Sequence, residues 1–197
     1  MRHINKVLLH VTITGYGGTE IEPNVFTKEK SFAQISKLIN LGFPAQQIVL
    51  RVDPIIPSDK GIATAKKVLE LFSETGIKRV RYSFLDVYPH VAKRFEKKGI
   101  KLPFTTFNAP EALQSKARAE IHKYDSHYQF ESCAEGEIDK LGCISAKDYK
   151  IMNIPFQIES TSLQRTGCSC VNKKELLSDC VRCSHCCLYC YWADEEK

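Results

Sequence analysis

The sequence predicts an α/β fold, a partial (βα) barrel followed by a cysteine-rich metal-binding region. Two observations carry this. Short β-branched runs alternate with amphipathic helical stretches through the first two thirds of the chain, and such repeats imply a mostly parallel sheet with helices packed outside it. All nine cysteines then fall between Cys133 and Cys190, where the periodicity weakens. The βα units are too few for a complete eight-stranded barrel. Residues 1–135 are assigned to the partial barrel and 136–197 to the cysteine-rich region, packed together as one structural unit.

Taken in order, Lys6–Thr14 is an apolar, β-branched run ending in Gly15-Tyr16-Gly17-Gly18, a strand and a turn. Ser31–Leu41 carries Phe32, Ile35, Leu38 and Ile39 as a helical stripe. Gln47–Ile56 is a second strand, closed by Pro54 and Pro57. Ala63–Thr75 is a helix with Ala65, Val68, Leu69 and Phe72 on one face and Gly76 beyond its end. Lys78–Phe84 is a third strand, Val91–Lys98 a helix, Pro110–Tyr124 a helix with proline in its first turn, and Tyr128–Cys133 a fourth strand. Loops and short helices wrapped around metal are expected after it.

The composition is that of an ordinary globular protein, 43% hydrophobic and 26% charged. No apolar run approaches the roughly 20 residues of a membrane helix, and the start does not read as a signal peptide. No membrane partner and a cytoplasmic location are therefore expected. Lys93, Arg94, Lys97, Lys98 and Lys101 form a basic cluster, either a solvated helix face or a surface for nucleic acid. In a reducing cytosol, clustered thiols read as metal ligands and not as disulfides.

The tail holds two overlapping patterns. Cys183, Cys187 and Cys190 have three and then two residues between them. Radical S-adenosylmethionine (SAM) enzymes use this spacing to hold three irons of a [4Fe-4S] cluster, and the aromatic Tyr189 before the last cysteine can pack beside the adenine. Cys180, Cys183, Cys186 and Cys190 instead match a ferredoxin-type run, although Tyr191 stands where a proline is usual. Zinc is the third reading, with pairs such as Cys168/Cys170 and Cys180/Cys183. His185 reads as a polar loop residue.

Further fragments run in order along nearly the whole chain. They include Thr12-Ile-Thr-Gly-Tyr-Gly, Ile21-Glu-Pro-Asn24, Arg51-Val-Asp-Pro-Ile55, Ser83-Phe-Leu-Asp-Val-Tyr88, Ser132-Cys-Ala-Glu135, Gly142-Cys-Ile144, Gln164-Arg165, Cys168-Ser-Cys170 and the tail motif. With these the chain resembles the radical-SAM-like family called domain of unknown function 1848, loosely grouped with spore photoproduct lyase and DNA repair photolyases. Members usually have glycine at the place of Cys186, have no motif cysteine at Cys180, and carry a further segment ahead of Lys6. The chain is thus expected to be either a short variant with an open barrel, or one whose barrel a partner chain or a second copy completes.

The resemblance implies a barrel of radical-SAM type whose cluster, held by Cys183, Cys187 and Cys190, cleaves SAM to methionine and a 5′-deoxyadenosyl radical. It also implies an electron donor such as a flavodoxin or ferredoxin, and a substrate that includes nucleic acid among its candidates. Gly17 and Gly18, as a backbone N–H cradle or a plain turn, are cofactor-binding candidates. So are Arg51 and Asp53, two apart on one strand face, as a carboxylate clamp or a structural ion pair, and so are Ser83 and Tyr189. Asp86, Glu131 and Glu135 are further strand-end candidates; no catalytic residue is assigned.

Cys133, Cys143, Cys168 and Cys170 are expected to gather into a second metal site, an iron–sulfur cluster ahead of zinc. Two rival functions are a zinc-stapled nucleic-acid-binding module and a ferredoxin-like electron-transfer subunit. The apolar first strand is expected to be covered on both sides, by the tail or by a partner.

Overall fold

The computed structural model describes residues 4–133, 135, 142–155, 170–171 and 183–192. Four strands, β1 (Leu9–Thr12), β2 (Ile48–Ile55), β3 (Arg79–Phe84) and β4 (Gln129–Ser132), lie side by side in chain order. Every pairing is parallel. Among the described residues the sheet does not close on itself. The chain is therefore mixed α/β, with the connections carrying α1 (Lys28–Asn40), α2 (Asp59–Phe72), α3 (Pro89–Lys97) and α4 (Glu111–Ile121). A short helix, α5 (Ala146–Ile151), follows β4.

Elements match the expected ones in kind, and their ends differ for local reasons. The first strand starts at Leu9 instead of Lys6, because Ile4–Lys6 forms a 3-10 turn. The Gln47 side-chain amide donates to the carbonyls of Ile4 and Val7, which gives that segment partners outside the sheet ladder. The helix expected to run to Tyr124 stops at Ile121 and tightens into a 3-10 turn, His122–Tyr124. Thr27 and Ser58 cap α1 and α2 by accepting backbone N–H bonds from Lys30 and Gly61.

The strand registers sort the side chains onto two faces. Leu50, Val52, Val80, Tyr82 and Phe130 share one face and are buried in the main core. There α2 packs against β2 and against both α1 and α4, with Val68, Leu69 and Phe72 at most 1% exposed. The opposite face carries His10, Arg51, Asp53, Arg79, Arg81, Ser83 and Glu131, as the alternation along a strand requires.

At the sheet edge, β1 pairs with β2 alone among the described residues, and its side chains are half-buried or, at Thr12, exposed. Among the described residues no segment covers its outer side, where cover by the tail or a partner was expected. Residues 183–192 dock on the loop after β1, where Leu188 donates its N–H to the Ile21 carbonyl at 3.0 Å. Among the described residues no helix is long and apolar enough to cross a membrane.

Candidate functional site

The polar face of the sheet is held by paired charges. Arg79, Arg81, Glu131 and Asp148 are each 3% exposed or less. Arg79 donates to Glu131 at 3.1 and 3.3 Å and to Asp148 at 2.6 Å. Arg81 lies 2.9 Å from Glu131, and Lys147 of α5 donates to the same carboxylate at 2.9 Å. Burial alone would raise the Glu131 carboxyl, but Arg81, Lys147 and Arg79 outweigh it and hold it below the usual range. Asp148 reaches this position as part of a capping box with Ser145 at the start of α5.

Towards the C-terminal strand ends this face opens into a cleft of about 660 Å³. Its floor is a chain of polar groups: the Arg51 guanidinium pairs with Asp53, and the Ser83 hydroxyl donates to the other Asp53 oxygen. His10 also lines the cleft. Burial, then the cations Arg81 and Arg51, pull its imidazole down from 6.5 to about 4, so it is neutral near pH 7. Arg51 is held in its charged form, burial opposing and Asp53, Cys143 and Cys133 favouring the charge.

Cysteines from two regions meet at this cleft, which Cys133, Cys143, Cys170 and Cys190 all line. The Cys143 sulfur is 3.5 Å from that of Cys133, and the Cys143 backbone N–H donates to the Cys170 sulfur at 2.9 Å. Contacts with Cys133 and Cys170, with burial added, push the Cys143 thiol well above its ordinary range. Among the described residues no group of three or more His, Cys, Asp or Glu side chains is set, as it stands, to hold a metal ion.

The motif loop is anchored at several points. Arg94 of α3 donates to the carbonyls of Cys187, at 3.1 Å, and Cys190. Asn24 donates to the Ser184 carbonyl at 2.7 Å. The Tyr189 hydroxyl donates to Glu22, which is 2% exposed and also accepts from Thr14 at 2.5 Å. Burial first, then the Glu22, Cys190 and Cys183 charges, push the Cys187 thiol up to about 11 against a hydrogen bond from Tyr189. Cys186 has φ 56°, is exposed, and turns its thiol to the Ser184 carbonyl.

Of the residues singled out by sequence, Arg51, Asp53, Ser83, Asp86, Tyr189, Cys133, Cys143, Cys170 and Cys190 line the cleft. Cys183 is exposed and Cys187 half-buried on the adjoining loop. Cys168 and Cys180 lie outside the described residues. Gly17 and Gly18 do not line the cleft. A Cβ at Gly17 would sit 1.9 Å from the Phe26 carbonyl oxygen, and the Gly18 N–H is spent on the Glu22 carbonyl at 2.9 Å, so both serve the turn. Glu131 lies in the buried charge network. Glu135 accepts from the Phe84 N–H at 2.9 Å. His185 is exposed, as a polar loop residue should be.

Sequence reading missed His10, Glu22, Arg79, Arg81 and Asp148. The signal for Arg79 and Arg81 was their two-residue spacing with Ser83, the same spacing that exposed Arg51 and Asp53.

The model of the family described as Domain of unknown function (DUF1848) matches residues 1–192. The chain belongs to that family. No curated protein matches this DUF1848 chain. No solved structure matches it either. The resemblance drawn from the ordered fragments is thereby borne out at the level of the family.

Proposed function

We propose that this DUF1848 protein is a radical-SAM enzyme in which Cys183, Cys187 and Cys190 ligate a [4Fe-4S] cluster. One observation carries the reading. The loop bearing these three thiols is tied to the C-terminal end of a parallel sheet, and its Tyr189 and Cys190 wall the same cleft as Arg51, Asp53 and Ser83. In parallel α/β folds that end of the sheet is where sites form.

The number and kind of donors suit a cluster with one iron left open. Cys183, Cys187 and Cys190 stand on one loop, and three thiolates leave one iron of a four-iron cluster without a protein ligand. A ferredoxin-type run would need Cys186 as a ligand, and the Cys186 thiol is turned to the Ser184 carbonyl from a left-handed backbone angle. A cluster held by Cys183, Cys187 and Cys190 would supply the electron for reductive cleavage of SAM. The chain's residues bind, orient and exclude water. Arg51 offers a fork for the methionine carboxylate, with Asp53 and Ser83 fixing its direction. Tyr189, clamped by Glu22, presents its ring to the cleft, where an adenine can lie.

The test is anaerobic purification with iron and sulfide counting, then a 5′-deoxyadenosine assay with SAM and dithionite. Cys187→Ser should lose the iron and the product. A colourless protein that binds zinc alone supports the nucleic-acid-binding rival. A reducible cluster whose EPR signal ignores added SAM supports the electron-transfer rival. Either result ends the radical-SAM reading.

A further inference from the structure

Three other thiols converge on the wall of the cleft from separate stretches of chain: Cys133 directly after β4, Cys143 ahead of α5, and Cys170. We propose that Cys133, Cys143 and Cys170 bind a single tetrahedral metal ion of the zinc type. This centre is separate from the one read for Cys183, Cys187 and Cys190.

Sulfur spacing separates one ion from a cluster. The Cys133 and Cys143 sulfurs are 3.5 Å apart. Two thiolates on one tetrahedral ion, with bonds of roughly 2.3 Å, stand about 3.8 Å apart. The pair has to open by only a few tenths of an ångström. In a cluster each thiolate binds its own iron and points outward from it, which sets the sulfurs further apart. The expectation of a second iron–sulfur cluster thus yields to a mononuclear ion.

The surroundings suit thiolates. The Cys170 sulfur already accepts the Cys143 N–H at 2.9 Å, a bond that strengthens once that sulfur is charged. The Arg51 guanidinium acts electrostatically on both Cys143 and Cys133, offsetting the excess negative charge of several thiolates on one divalent ion. None of the three is in a disulfide. The metal enters as each coordinating thiol gives its proton to solvent, with no change in oxidation state. Val171 donates its N–H to the Ile144 carbonyl at 2.9 Å, so these two stretches already run together beside the end of β4. A metal there staples the cover of the polar face to the sheet.

Zinc and iron are counted in the anaerobically purified protein and in the Cys143→Ser, Cys170→Ser and Cys187→Ser variants. The expected result is about one zinc per chain, lost in the first two variants and kept in the third. Metal-stripped Cys187→Ser protein, titrated with Co²⁺ alone, should show thiolate-to-cobalt charge-transfer bands that saturate at about one equivalent; this arm holds even if the Cys143 or Cys170 variant fails to fold. Iron lost with Cys143 would make these thiols cluster ligands and overturn the proposal. So would zinc retained in both variants, or a Cys133–Cys143 disulfide in protein that binds no cobalt. The Cys187 arm keeps the two readings apart: a protein with zinc at Cys143 and no iron would end the radical-SAM reading and leave this one standing.

Discussion

On the helix side of the sheet, Leu50, Val52, Val80 and Tyr82 pack into one apolar core. One residue along each strand, His10, Arg51, Asp53, Arg79 and Arg81 face the other way into a polar cover built by α5 and the cysteine-bearing stretches. The same backbone thus carries two kinds of stability. The apolar face gains from area removed from water, whatever the pH. The charged face gains only while each buried ion keeps its partner, because an orphaned buried charge costs far more than the pair contributes.

Three substitutions probe that contrast. Phe72 is fully buried, with its ring edge-on to Phe32 at 5.3 Å. Phe72→Ala should cost about 4 kcal/mol in denaturant unfolding, by lost burial plus a cavity. The loss should be the same at pH 5 and pH 8; a pH-dependent loss would blur the line between the faces.

Glu131→Gln leaves Arg79, Arg81 and Lys147 facing a neutral amide, and should cost about 3 kcal/mol at pH 7. Glu131 is held below the usual carboxyl range, so its contribution is complete above the unfolded value. It is lost as pH falls through the folded one. The difference between wild type and variant should therefore shrink in acid. A difference that persists at low pH would show that packing, not charge, sets the value of Glu131.

The smallest effect belongs to His10. Unfolded, its imidazole takes a proton near pH 6.5; folded, only near 4. The unfolded chain binds more protons across that window, so stability falls as pH drops from 6.5 to about 4. His10→Gln should remove about 2 kcal/mol of that fall, read from urea midpoints at both ends. An unchanged slope would place the acid sensitivity elsewhere on the polar face.

Local patterns made much of this legible. Period-two and period-3.6 runs placed all four strands and α1 to α4, because those periods follow from backbone geometry alone. Arg51 and Asp53 could be read as neighbours because they are two apart on one strand. The buried network could not: Glu131 and Asp148 sit 52 and 69 positions from Arg79, and only the fold brings them together. Arg94 lay within a basic cluster that read as a surface, yet its guanidinium is committed to carbonyls 93 and 96 positions away. Cys186 read as a possible ligand because its residue type bears a thiol. Its backbone takes the angle that glycine favours, which the residue type conceals.

The anchoring of the motif loop bears on how the molecule is made. Leu188, Tyr189 and Ser184 are tied to Ile21, Glu22 and Asn24, contacts spanning at least 160 positions. A ribosome releases all four strands before it releases Cys183. The sheet and its apolar core can form on the nascent chain, but the seat prepared by Glu22, Asn24 and Arg94 stays empty until residues 183–190 arrive. Closing so long a loop is slow and entropically costly, and favours a sheet that is already folded as its template. On the proposed reading, metal loading at the motif falls at the end of biogenesis, and a chain truncated before Cys183, however well its sheet folds, never presents the three thiols.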